Sequence, residues 1–475
     1  MDKSREANTQ LQYWFDRAGF TRQDLAHRVG KRAETRGEPQ VRPDESRVRR
    51  WLDPGEIPRP PVPEILAELF SERLGIPLTP ADLGLPGPDQ PLLRTGIDLP
   101  WHCSSTTTAM IDQLSRSDLM LPRMSPDDAA EIQQGKALLT PLQHWPYAEP
   151  SILTPSAEPF NGRIGHSEVS QIRQVTAMFR ETDNRIGGGL SRKAVVAQMQ
   201  QVNALITSCT YTEQVGRELF RAVADLGSVA GWMSFDANMH GSAQRLFVLA
   251  LHAASEGGDK ALGAHILQCM ARQMSHLGQI KDALDLLALA QYGSRHEAAP
   301  ATKAALAALE SRFRAIDGHL AESDAAAGAA LDAYERDNPT DDIPDWMRWF
   351  DRAELCATLG VAHQIAARQS TGPERFRRAE RSTALINEAL SLRPPDRVRS
   401  SAFDRIGLAR THIVAGELEG ACQETRTAIT MYDDLSSVRM ADRIAELDAE
   451  LAPHADESSI RDLREEITAA LTATP

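Results

Sequence analysis

Aromatic side chains are scarce in this chain, at 5 % of 475 residues, while alanine is abundant. A core with few rings has to be made by the close approach of small side chains, which points to packed helices rather than sheets. No apolar run reaches membrane-spanning length. The opening M-D-K-S-R-E-A-N-T-Q lacks the apolar centre of a signal peptide. Both absences lead us to expect a cytoplasmic protein. Cysteine is sparse and unpatterned: Cys103, Cys209, Cys269, Cys356 and Cys422 form no C-x-x-C pair. An odd, scattered set suits reduced thiols serving as small core residues rather than a disulfide framework.

Catalytic patterns are missing as well. G-x-S-x-G, H-E-x-x-H and a dinucleotide-binding glycine pattern after a strand are all absent. His240, His252, His265 and His276 cluster in sequence, but no pair has the i, i+4 spacing of a helical metal site. Gly187-Gly188-Gly189 precedes L-S-R-K, which invites a phosphate-loop reading. The spacing is not G-x-x-x-x-G-K-[ST] and no strand precedes it, so a helix–helix turn is expected there. We expect no enzyme, no cofactor and no metal.

Charge is present but uneven. The formal net charge of −14 argues against a protein that coats nucleic acid generally. Between Arg17 and Arg59, however, 11 Lys/Arg stand against 7 Asp/Glu, so this segment is near +4 and the remainder near −18. A locally basic module on an acidic body fits DNA binding confined to one site.

The basic module reads as four helices. Leu11, Trp14, Phe15 and Ala18 give the first, from about residue 4 to 18, with Gly19 as a left-handed cap. Thr21 caps a second, carried by Leu25, Ala26 and Val29 to Gly30. Asp44 to Leu52, D-E-S-R-V-R-R-W-L, is the third. Asp44 can cap it and Pro54-Gly55 stops it. Val48, Trp51 and Leu52 form its apolar face, and Arg47, Arg49 and Arg50 fan out on the others. Ile65, Leu66, Leu69 and Leu74 make a fourth helix, closed by Gly75-Ile76-Pro77. Lys31 to Pro43 is a long basic segment before the third helix, either an extension of the second or an inserted loop.

From Leu85 to about Ile164 prolines recur, and we read an irregular linker with helical patches at Thr108 to Leu119 and Pro126 to Leu139. Residues 146–160 look flexible, and Trp101, His102, Trp145 and Tyr147 are expected to dock on a neighbouring domain. From Ser167 onward the chain reads as helix after helix. Val169, Ile172, Val175, Met178 and Phe179 form the first face, and Ser191 is placed to cap the next helix. After residue 213 a repeat of 40 sets in. Asn238, Gly278 and Gly318 sit at turns, followed by Ala243, Ala283 and Ser323, then Ala250, Ala290 and Ala330. Later copies, reached after about 20 inserted residues, end at Ala389-Leu390 and at Ala428-Ile429. Small residues at fixed positions let paired helices approach, and each pair leaves an apolar face for the next to cover. Five hairpins with a capping helix near Ile460 to Leu471 would stack into a right-handed solenoid. The fold expected is all-α, with residues 1–84, 85–165 and 166–475 as module, linker and repeat domain.

Two resemblances add to this. A-G-F-T-R-Q-D-L-A-H-R-V-G followed by S-R-V-R-R-W-L resembles the helix-turn-helix of the lambda-repressor-like (XRE) superfamily. Ala230-Gly231-Trp232-x-x-Phe235 followed by Ala243-x-x-x-Phe247-x-x-Ala250 resembles the tetratricopeptide repeat, TPR. With R-V-R-R-W-L-D-P-G-E-I-P and G-G-G-L-S-R-K-A-V-V, the arrangement is similar to actinobacterial regulators of the NsdA type, associated with control of antibiotic production and sporulation.

The resemblance implies a transcriptional regulator, more a repressor than an activator, acting on a double-stranded DNA operator and binding as a homodimer. It implies Ser46, Arg47 and Arg50 at base edges and Arg22, Arg42 and Arg49 on phosphates. It also implies a peptide or protein ligand on the first helices of the hairpins, at Arg272, Gln273, Arg312, Arg352, Arg405 and Arg410. The other class left open is a non-enzymatic interaction scaffold whose helix-turn-helix does not bind DNA.

Overall fold

The structure is a computed structural model that describes residues 8–36, 38–53, 56–59, 61–74, 78, 80, 83–85, 97, 99, 101, 103–120, 132–151, 162–186, 191–336, 343–432 and 438–473. Among them every regular element is helical, and the one β-type contact is an isolated bridge between Arg163 and Thr210. Contacts divide the chain into two units, Met1–Arg94 and Thr95–Pro475.

The first unit holds α1 (Thr9–Ala18), α2 (Arg22–Thr35), α3 (Glu45–Leu52) and α4 (Val62–Leu74). Its caps follow the residues predicted for them. Gly19 closes α1 at φ 64°, Thr21 accepts the Asp24 N–H and Asp44 accepts the Arg47 N–H. The first helix starts later than predicted because the Asn8 side chain caps it and also donates to the carbonyls of Leu83 and Gly84. The ambiguous segment resolves in favour of a longer second helix. It continues through Gly30 to Thr35 and buries Ala33, leaving Arg36–Asp44 between α2 and α3. Residues 54–55 and 75–77, expected to stop α3 and α4, lie outside the described residues.

The second unit begins with α5 (Ser104–Met120), α6 (Lys136–Leu142), α7 (His166–Ile186) and α8 (Arg192–Ser208). Five helix pairs follow: α9 (Glu213–Asp236) with α10 (His240–Glu256), α11 (Lys260–His276) with α12 (Ile280–Ser294), and α13 (Pro300–Ile316) with α14 (Leu320–Glu335). The last two are α15 (Arg352–Gln369) with α16 (Gly372–Leu392), and α17 (Val398–Ala415) with α18 (Leu418–Tyr432). Then come α19 (Val438–Leu451), which the sequence reading lacks, and α20 (Ser458–Ala473), which packs on α18 and α19.

The repeat register is real at the level of backbone. Asn238, Gly278 and Gly318 turn at φ 61°, 77° and 84°, a left-handed conformation in which Gly, and next Asn, is least strained. The six small residues that follow them are all buried. Close approach explains Gly231 of the A-G-W string and Gly227 one turn before it. A Cβ at Gly231 would lie 2.6 Å from the Phe247 ring, and one at Gly227 would lie 2.9 Å from Ala250.

Three readings need correction. Val175 and Met178 are exposed, because the buried stripe of α7 runs through Val169, Ile172, Thr176 and Asp183, a better match to 3.6 residues per turn. Ser191 precedes α8 without a side-chain cap bond. The described parts of the Pro-rich stretch pack into the helical core, where Ile97, Leu99, Ile111, Leu138, Leu142 and Trp145 are buried. Trp101 stacks on His252 at 3.8 Å. Trp145 fills a notch between Gly263 and Gly293, where added Cβ atoms would come within 2.5 and 2.1 Å of its ring. Lys260 donates to the Trp145 and Ala148 carbonyls, Gln244 to that of Gln133, and Glu256 accepts from Ser151. His102, the triple glycine and most of 146–160 lie outside the described residues.

Candidate functional site

The short helix α3 is positioned by its own apolar residues. Val48, Trp51 and Leu52 are buried against the first unit's core, and α3 packs on α2 and α1. At 100° per residue this turns Ser46 and Arg50 directly outward and puts Arg47 and Arg49 on the flanks. All four are exposed. The Ser46 hydroxyl donates to Asp44 at 2.8 Å. That bond, then the Arg47 N–H, holds the Asp44 carboxyl below the usual carboxylate range.

The surrounding basic residues differ in how free they are. Arg47 and Arg49 have no acid partner among the described residues. Arg50 pairs with Glu56 at 3.0 Å and Arg22 with Asp53 at 3.1 Å. Arg42, in the segment between α2 and α3, approaches Glu34 at 3.8 Å. Farther along α2, Arg32 reaches Glu68 and Glu72, and Arg36 reaches Glu68. Those last two cations brace α2 against α4.

In the second unit the first helices of the pairs, with α7 and α19, line a cavity of about 300 Å³. It closes because the array curls until α17 touches α7. Arg399, from α17, and Arg439, from α19, both grip the buried Asp236 at the end of α9. Burial alone would raise the Asp236 pKa, but the Arg439 and Arg399 guanidiniums outweigh it and hold the carboxyl below its ordinary value. Arg393 bridges Glu354 and Asp404, each at 2.9 Å. Aromatic rings complete the wall. Arg439 lies over Trp232 at 4.7 Å and Arg272 over Trp349 at 5.0 Å.

Of the six residues predicted on the array, Arg272, Arg312 and Arg410 line this cavity. The other three do not line it. Gln273 is fully buried and donates to the His240 carbonyl. Arg352 pairs with Glu388 and Arg405 with Glu424. Helix register explains the split. Arg272 and Arg312 each stand twelve residues after their helix starts, at Lys260 and Pro300. The insertion before α15 moves Arg352 to the helix start, and Gln364 takes the equivalent place. Arg410 holds the same place in α17. Sequence reading missed Arg180, Arg393, Arg397, Arg399, Arg439, Arg443, Trp346 and Trp349, all on the cavity wall. The D-W-M-R-W-F string, rich in rings in a ring-poor chain, was an available signal for the two tryptophans.

Burial sets the protonation of the neighbours. His265 is pushed down to about 3 by burial and by Arg180 and Arg272, so it is neutral. Burial pushes the Cys269 thiol up to about 12, which removes it as a nucleophile. Asp183 is raised to about 6, again by burial first. Among the described residues, no group of three or more His, Cys, Asp or Glu could hold a metal ion, and no helix is long and apolar enough to cross a membrane.

Compared with known proteins, residues 11–86 match the family described as SP15 N-terminal domain. That stretch contains α2–α4 and most of α1. No curated protein matches the chain. No solved structure matches it.

Proposed function

We propose that this protein is a DNA-binding transcriptional regulator, a repressor rather than an activator, whose second unit senses a ligand or supplies a homodimer contact. The observation that carries the reading is α3: a capped helix with a buried apolar back, Ser46 and Arg50 exposed on its front and Arg47 and Arg49 exposed on its flanks. An arginine on such a face can bond guanine in a bidentate way, while Arg22, Arg42 and Arg49 would rest on phosphates. The likeness of this segment to lambda-repressor-like helix-turn-helix proteins supports it. Helix pairs in a 40-residue register, with small residues at their contacts, support a tetratricopeptide-like array. The combined likeness to NsdA-type regulators supports control of antibiotic production or development as the biological setting.

The test is selection of fragmented genomic DNA by the full-length protein at physiological salt, followed by sequencing. Enrichment of a few sites with half-sites about one helical turn apart is expected for a dimer. Uniform background recovery would remove the reading. One observation favours a second reading, an interaction scaffold that binds no DNA. Arg22, Arg32, Arg36 and Arg50 already have carboxylate partners, which lowers the free positive charge of the first unit.

A further inference from the structure

The cavity of the second unit carries more positive charge than its own acids neutralise. Among the described residues, nine arginines and four carboxylates line it. Four more carboxylates, Asp225, Asp236, Glu446 and Glu450, reach the arginines from just behind the wall. Seven of the nine guanidiniums thereby gain an acid partner. Arg312 and Arg397 have none among the described residues.

Arg312 is the more informative of the two. Burial, then Arg443, Arg272 and Arg410, push its pKa down to about 9, so it remains charged at neutral pH. Arg312 is half-buried, with its Nε enclosed, and a charge so placed without a carboxylate partner is costly, so its removal or its pairing is the stable outcome. Polar atoms without partners collect at the same place. The Nε atoms of Arg272, Arg312 and Arg410 and the Trp349 indole nitrogen are buried and unbonded, as is the Oε1 of Gln268, a residue only 1 % exposed. Buried polar atoms are ordinarily satisfied, so such a cluster calls for a group that satisfies it. Most of these atoms are donors, so a group that satisfies them is an acceptor.

We propose that this cavity binds a small organic anion whose carboxylate or phosphate is held by Arg312 together with Arg272 and Arg410, and whose body packs against Trp349 and the apolar wall of Val361 and Ile406. Guanidinium forks suit both head groups. The volume, at the lower end of the range for small-molecule sites (roughly 300–1,000 Å³), limits the occupant to a compact molecule rather than a folded partner. The proposal rests on the sensing role given above to residues 95–475, and it names the ligand chemistry of that role.

The test is thermal melting of the full-length protein in a chloride buffer, with inorganic phosphate or benzoate added at constant ionic strength. Wild type is compared with Arg312→Gln and Arg312→Met. In wild type, at least one anion raises the melting temperature by several degrees, increasing with the logarithm of its concentration above Kd. Both variants lose that response. Without added anion they melt higher than wild type, because a half-buried charge without a carboxylate partner has been removed. A response to phosphate alone assigns a phosphate head group, and one to benzoate alone a carboxylate. The absence of response to either anion overturns the proposal. So does a response retained in Arg312→Met, or variants that melt lower than wild type, as a structural arginine would require. Melting involves no DNA, so a failed anion response removes this site and leaves DNA recognition to its own test.

Discussion

On α3 the guanidiniums of Arg47 and Arg49 stand in water, whereas Arg399 in the helical array is only 6 % exposed and bonded to Asp236. The same side chain sits in opposite settings in the two units. In the first, carboxylates such as Asp53 and Glu56 hold arginines in exposed pairs worth about 0–1 kcal/mol, so a phosphate could replace them at little cost. In the second, the partners are desolvated, and losing one leaves a charge that water cannot reach. Exposure therefore separates arginines available for a changing partner from arginines that fix the fold. Arg312 belongs to neither group, since it is half-buried in the array and has no carboxylate partner among the described residues.

The comparison is tested most strongly at Asp236. Asp236→Ala strips Arg399 and Arg439 of their shared carboxylate. It should cost about 3–5 kcal/mol, read as an earlier urea transition of the second unit. A loss below about 1 kcal/mol would place these arginines in the same class as the exposed pairs.

The pH dependence of stability should also belong to the buried set. His252 and His265 are pushed down to about 3 by burial. The unfolded chain binds their protons near pH 6.5, so their stabilisation is complete above that and is lost as pH falls toward 3. Asp183 and Asp404, each raised to about 6, act in the opposite sense and favour the fold more as pH falls from 6 toward 3.8. His252→Gln should flatten the acid limb by on the order of a few kcal/mol between pH 6.5 and 4. Melting temperature against pH, read as slope rather than absolute value, checks this; an unchanged slope would mean that His252 is not buried in neutral form.

Smaller effects are expected on the exposed side. Arg47→Ala or Arg50→Ala should weaken operator binding by about 1–3 kcal/mol, with stability moved by no more than about 0.5 kcal/mol. Arg22→Ala should weaken binding to all sequences about equally and lower the salt slope by about 1. Anisotropy titrations on operator and scrambled DNA separate the two outcomes.

Local signals were the legible part of this sequence. Gly19, Thr21 and Asp44 act within a few residues of where they stand, so cap chemistry alone located their helix ends. The 40-residue register was visible because Asn238, Gly278 and Gly318 need the same left-handed turn. Register carried as far as Arg272 and Arg312 and failed at Arg352, because spacing counts residues whereas the cavity counts helical turns. What joins distant segments was not legible. Arg399 and Asp236 are 163 residues apart, and nothing local marks them as a pair. The Pro-rich stretch looked like a linker because prolines recur along it. The sign of its packing lay elsewhere, in Gly263 and Gly293, two glycines inside helices where alanine would otherwise be preferred.

Whether α3 reads a DNA sequence is decided by binding of the full-length protein to its recovered operator over rising salt. A sequence-reading α3 gives tight, selective binding at physiological salt, a linear fall of log affinity with log salt, and a roughly 10- to 100-fold loss in Arg47→Ala or Arg50→Ala. Affinity indifferent to salt, or an unchanged sequence preference in both variants, would contradict it.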